Sequence, residues 1–218
     1  VSLFEKPSHK IEVKGELGYF GLEDWWLSTF SEEERGYFER TYRYLSVGGD
    51  NGQPLTHGDI YSLSRSSIFT LTGIIGALRD KPEYLHLVKP ILQEAERRKD
   101  GNALDFHFLY GLTARVTYAL RGRHPDALNT AIDACKRQIA VAPQAADMFK
   151  LEIPAEKAQR ILGARLPGHD GYTRLSIIYE HEKRYAEVIE LATQAESQGW
   201  NGDWDKRIAR CEKRLSKP

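Results

Sequence analysis

The chain has 218 residues, 41% of them hydrophobic and 28% charged, enough for one sizeable domain or two small ones with real cores. Lysine plus arginine, 31, balance aspartate plus glutamate, 31, so no global field draws the protein to nucleic acid or to an anionic membrane. The only cysteines, Cys135 and Cys211, exclude a disulfide framework and a CxxC metal or redox pair and fit a reducing cytoplasm, and the longest nearly uncharged run, "SSIFTLTGIIGAL", falls short of the roughly 20 residues a membrane-spanning helix needs.

The start, "VSLFEKPSHK", holds no apolar core of signal-peptide length and no initiator methionine, which leaves open that residues precede it. "KIEVK" alternates with period two and predicts a short strand at Ile11 and Val13. In "GYFGLEDWWLSTFSEEER", Leu22, Trp25, Trp26 and Phe30 recur at helical spacing, and Ser31 with Glu34 spells a capping box that opens a second helix. The stripe is expected to pack this segment onto the rest of the protein; an exposed aromatic surface at Trp25 and Trp26 is the other reading. "SVGGDNGQPLTHG", residues 46–58, reads as a loop, and its "GGDNG" lacks the remainder of a phosphate or calcium loop.

From residue 56 onward the apolar spacing is that of a string of helices. Thr56 with Asp59 suggests a capping box for a helix reaching Leu78, in which Gly73 and Gly76 permit close packing. Pro82 begins the next, and Pro90 is expected to kink it. Asn102 with Asp105 opens a third, and Pro125 a fourth that buries Cys135. Two short helices are expected in "QAADMFKLE" and "AEKAQRILGARL", then two joined at Lys183 to Tyr185, then a final one with Trp204, Ile208, Cys211 and Leu215 on its packed stripe. The five Lys and Arg of that last helix read as its wet face.

Residues 169–202 repeat a pattern: Tyr172, Leu175, Ser176 and Tyr179 on one helix, Tyr185 after the turn, then Val188, Ala192 and Ala195. This resembles a tetratricopeptide repeat, a helix–turn–helix unit of roughly 34 residues. Weaker registers cover 108–141, with Tyr118, Gly122, Ala127, Ala131 and Ala134, and 68–101, with Leu71, Tyr84, Leu87 and Ile91. The resemblance implies an all-α fold of antiparallel hairpins stacked as a superhelix. Residues 1–55 form an aromatic-rich segment packing on the array, irregular apart from one small strand, and 56–218 form the repeat domain with a C-terminal capping helix. It also implies a concave groove lined by the first helix of each hairpin, here Thr173, Ile177, Glu180 and His181, with Leu112, Val116 and Leu120 in the weaker unit. Basic or asparagine side chains that clamp a peptide's terminal carboxylate in some members are missing at Thr173 and Ile177.

No set of catalytic residues stands out. His107, His124, His169 and His181 each lack a second ligand at metal spacing, so no metal and no cofactor is expected. Asp105 and His107 point in different directions on a helix, and His124 and Asp126 flank Pro125 as cap and first-turn acid. The expected function is therefore a non-catalytic scaffold, cytoplasmic, whose partner is a protein or peptide rather than nucleic acid or membrane, with homo-oligomers left open. The alternatives are an enzyme whose site assembles from distant residues such as His181 or His107, and a nucleic-acid or small-molecule sensor using the basic C-terminal helix.

Overall fold

Helices carry nearly all of the regular structure, as the 3.6-residue spacing of the apolar side chains requires. A computed structural model describes residues 12–42, 54–152 and 165–216, and the chain divides into two compact units, Val1–Ser64 and Arg65–Pro218. Ile11, the "GGDNG" loop and most of "AEKAQRILGARL" lie outside the described residues; Val13 sits in irregular backbone.

The first unit holds α1 (Gly15–Tyr19), α2 (Glu23–Thr29) and α3 (Glu32–Thr41). Ser31 and Glu34 make the expected capping box, with the Ser31 amide donating to Glu34 Oε2 at 2.7 Å. Trp26, Phe30 and Phe38 pack ring against ring at centroid distances of 4.8 to 5.8 Å. Trp26 is buried, whereas Trp25 is half-buried, its ring meeting that of Phe30 in a T-shaped contact at 5.1 Å; α2 ends at Thr29 and the backbone is extended at Phe30.

The helix expected from Thr56 to Leu78 begins instead at Ser67. Carbonyls of Pro54, Leu55, Thr56 and Gly58 accept from the amides of Glu16, Leu17, Lys14 and Gly15, satisfying the start of α1 and holding 54–58 out of helix. Gly15 sits at φ 60°, and a Cβ there would lie 2.5 Å from the Pro54 carbonyl oxygen. Thr56 donates its hydroxyl to Glu39, and Asp59 pairs with Lys14 at 3.5 Å, so neither is free to cap.

The second unit runs α4 (Ser67–Ala77), a 3-10 turn (Pro82–Leu87), α5 (Val88–Arg97), α6 (Ala103–Ala119), α7 (Ala127–Ala140), α8 (Ala142–Glu152), β1 (Leu166–Gly168), α9 (Asp170–His181), α10 (Tyr185–Ser197), β2 (Trp200–Asn201) and α11 (Trp204–Leu215). Pro90 does not bend one long helix. It falls in the first turn of α5, where its missing N–H needs no partner, and the preceding six residues are 3-10. Asn102 caps α6 as expected; at α7 the cap is Asp126, which makes no side-chain bond, while His124 Nδ1 accepts the Asp126 amide at 3.1 Å.

Helix α4 packs on α5 and α6, α6 on α7 and α8, α9 on both α6 and α7, α10 on α9, and α11 on α10. Small side chains at the crossings, Ala114, Ala134, Val188, Ala192 and Ala195, bring the axes together, and Tyr172, Trp200 and Trp204 fill the spaces between. β1 and β2 form a two-stranded parallel sheet with Leu166 opposite Trp200, too short to leave a periodic signal in the sequence. On α11, Trp204 and Cys211 are buried as expected, but Leu215, the last residue of the helix, is 54% exposed.

A candidate binding cavity at the end of helix α9

Helix α9 ends at a tight turn whose central residue, Lys183, is at φ 60°. Arg184 fixes that turn by bonding Glu182 and Glu187 and covering the Tyr179 ring at 3.6 Å. The turn leaves the last exposed stretch of α9 facing α11. Between them lies a cavity of about 320 Å³, walled by Ile177, Glu180, His181 and Tyr185 on one side. Arg207, Arg210, Cys211 and Arg214, at i, i+3, i+4 and i+7 of α11, form the other side.

Glu180 organises this charge. Its Oε1 accepts from Arg207 Nη1 and from Arg210 Nη2, the latter at 3.0 Å, and its Oε2 accepts from Arg210 Nε at 3.0 Å. The Arg210 fork is thus bidentate, and its bonds to Glu180 hold the guanidinium proton more firmly than in water. Arg207, 7% exposed, belongs to the buried surface rather than to a wet face, and its Nε has no acceptor. Burial, followed by the Glu180 charge, pushes the Cys211 thiol above its ordinary range, which disfavours the thiolate.

Of the residues expected to line a groove, Ile177, Glu180 and His181 do meet in one cavity. Thr173 lies one turn earlier on α9, outside the lining. Val116 and Leu120 are buried, because α4, α7, α8 and α9 all pack around α6. Leu112 points at Gly76 of α4, where a Cβ would come within 3.4 Å of it, a helix–helix contact rather than a binding wall. Trp25 and Trp26 belong to the other unit. Tyr185 and the three arginines were missed as cavity residues; the signal available was that Arg207, Arg210 and Arg214 share one stripe of α11.

A second polar cluster sits at the other end of α9. His107 and His169, isolated in sequence, have ring centroids 4.9 Å apart, and His107 stacks on Trp200 at 5.1 Å. Gln138 ties them in: its Nε2 donates to the His107 carbonyl at 3.0 Å and its Oε1 accepts the Gly171 amide at 2.6 Å. Gly171 is required there, since a Cβ would lie 2.8 Å from the Cys135 carbonyl oxygen. His169 Nδ1 caps α9 by accepting the Tyr172 amide. Burial lowers His107 to about 4, against an opposing pull from Asp170, and lowers His169 to about 2, helped by His107. Both rings are neutral at pH 7. Burial also pushes the nearby Cys135 thiol up to about 12. His107 and His181 do not form a pair: α9 spans about 18 Å between His169 and His181 at 1.5 Å per residue.

A larger cavity of about 720 Å³ lies between α5 and α7, with Leu85, Val88 and Leu92 as its apolar part and Arg137 paired with both Glu96 and Asp133 in its lining. Among the described residues no three His, Cys, Asp or Glu side chains are grouped to hold a metal ion, and no helix is long and apolar enough to cross a membrane. Comparison of the chain with protein-family models, with curated proteins and with solved structures finds no match.

Proposed function

We propose that the second unit is a tetratricopeptide-like scaffold that binds a protein or peptide in the cavity between α9 and α11 and performs no chemistry of its own. The observation that carries this reading is the cavity lining. Ile177, Glu180 and His181 of a first helix meet Arg207, Arg210 and Arg214 of the next first helix, with charges already fixed by Glu180. Preset side chains lose little freedom when a ligand arrives, which favours recognition. One part of the packing order supports stacked hairpins: α9 touches both α6 and α7, the two helices of a preceding pair. Two free, buried thiols suit a cytoplasmic setting.

Selection of peptides from a displayed random library on the full chain tests the role. The expected outcome is a family of related peptides whose binding is lost in a His181→Trp variant that fills the cavity and in Arg210→Glu. Peptides that bind both variants as well as the parent would contradict this placement.

A further inference from the structure

Three guanidinium groups line the cavity and one carboxylate, Glu180, answers them, leaving two positive charges when histidine is counted as neutral. Asp203 comes no closer than 3.9 Å to Arg207 Nη2, is 60% exposed and does not line the cavity. Arginine donors also remain unused. Among the described residues, Arg207 Nε is buried with no acceptor, Arg210 spends only Nε and Nη2 on Glu180, and Arg214 makes no hydrogen bond or ion pair. Arg210, with 45% of its side chain exposed, and the exposed Arg214 keep donors within reach of an incoming anion.

We infer that, in the peptide-binding role proposed above, this cavity receives a phosphoryl group on the bound peptide. A carboxylate would neutralise only one of the two surplus charges and offers two oxygens. A phosphomonoester brings between about −1.5 and −2 at pH 7 and three acceptor oxygens, which matches both the charge and the donors left over. Arginine is the side chain best suited to such an oxygen set, because its planar fork can bond two oxygens at once. Glu180 holds Arg207 and Arg210 in place before the ligand arrives, and Ile177 and Tyr185 give the side chain bearing the phosphoryl group an apolar wall.

The test is a titration of the full chain, followed by NMR at the arginine Nε–H signals, with inorganic phosphate and with acetate at matched ionic strength. Phosphate is expected to move the Arg207, Arg210 and Arg214 signals together and saturably, and acetate to leave them nearly still. Arg214→Ala, which breaks no hydrogen bond or ion pair among the described residues, should weaken phosphate about tenfold, the loss of one charge-assisted bond, with an unchanged melting temperature. Degenerate peptide pools centred on phosphoserine or on serine then identify the carrier: the phosphoserine pool should bind more tightly than inorganic phosphate, and the serine pool should not. Arginine signals that respond equally to phosphate and acetate, or an Arg214→Ala variant that binds phosphate like the parent, would overturn the phosphoryl site. Binding of both pools equally well and more tightly than inorganic phosphate would overturn it while leaving the peptide-binding role intact. Phosphate bound in the cavity with no gain from either pool would overturn the peptide as carrier, and with it that role.

Discussion

The two ends of helix α9 solve the same problem in opposite ways. At its start, His169, His107 and Gln138 are buried against Trp200 and Phe149 and stay neutral: Gln138 and His169 Nδ1 bond to backbone groups around them, while His107 Nδ1 and His169 Nε2 have no partner among the described residues. At its end, Glu180 and the arginines keep their charges and border an open cavity. Polar groups sealed in a core serve the fold, because burial suppresses the charge that chemistry or recognition would use. A charge surplus fixed at the rim of a cavity is available to a ligand.

The contrast breaks most visibly at the dry end. Trp200→Ala removes the ring that His107, His169 and Phe149 share, and should cost about 3 to 5 kcal/mol in urea unfolding. Acid should attack the same place. Both histidines have folded pKa values below the unfolded value of about 6.5, so the unfolded chain takes up protons first. Their contribution to stability is complete above about pH 6.5 and is lost as pH falls, by roughly 3 kcal/mol per histidine on reaching pH 4. His107→Phe, which keeps the ring stack, should remove its share of that slope when unfolding is followed from pH 7 to pH 4.

At the charged end the effects shrink with exposure. Glu180→Gln leaves buried Arg207 with only a distant, exposed Asp203 and should cost about 2 kcal/mol, a discounted form of breaking a buried pair. Arg214→Ala should change stability by less than about 0.5 kcal/mol, as for other exposed positions. A destabilisation from Arg214→Ala as large as that from Glu180→Gln would erase the distinction between core and recognition surface. As a gauge in the other unit, Ser31→Ala should cost about 1 kcal/mol by removing the capping box, with the cavity untouched.

Local signals were legible where one residue type decides the outcome. The caps at Ser31 and Asn102, the turn before Tyr185 and the buried tyrosines and alanines of residues 169–202 follow from spacing and propensity alone. Thr56 and Asp59 misled because a capping pattern competes with distant backbone donors, here the amides at the start of α1, which the local sequence does not reveal. The lining of the cavity between α9 and α11 was half legible: Ile177, Glu180 and His181 share one face of their helix, but Leu112 and Val116 pack against helices whose order only the fold determines. Arg207 reads as a wet-face charge until Glu180, 27 residues away in sequence, is brought against it.

The most direct measurement is backbone chemical-shift mapping of the full chain with a selected peptide bound. The expected map centres on Ile177, Glu180, His181, Tyr185, Arg210 and Arg214. Shifts confined to the cavity between α5 and α7, or to the N-terminal unit, would contradict a binding site between α9 and α11.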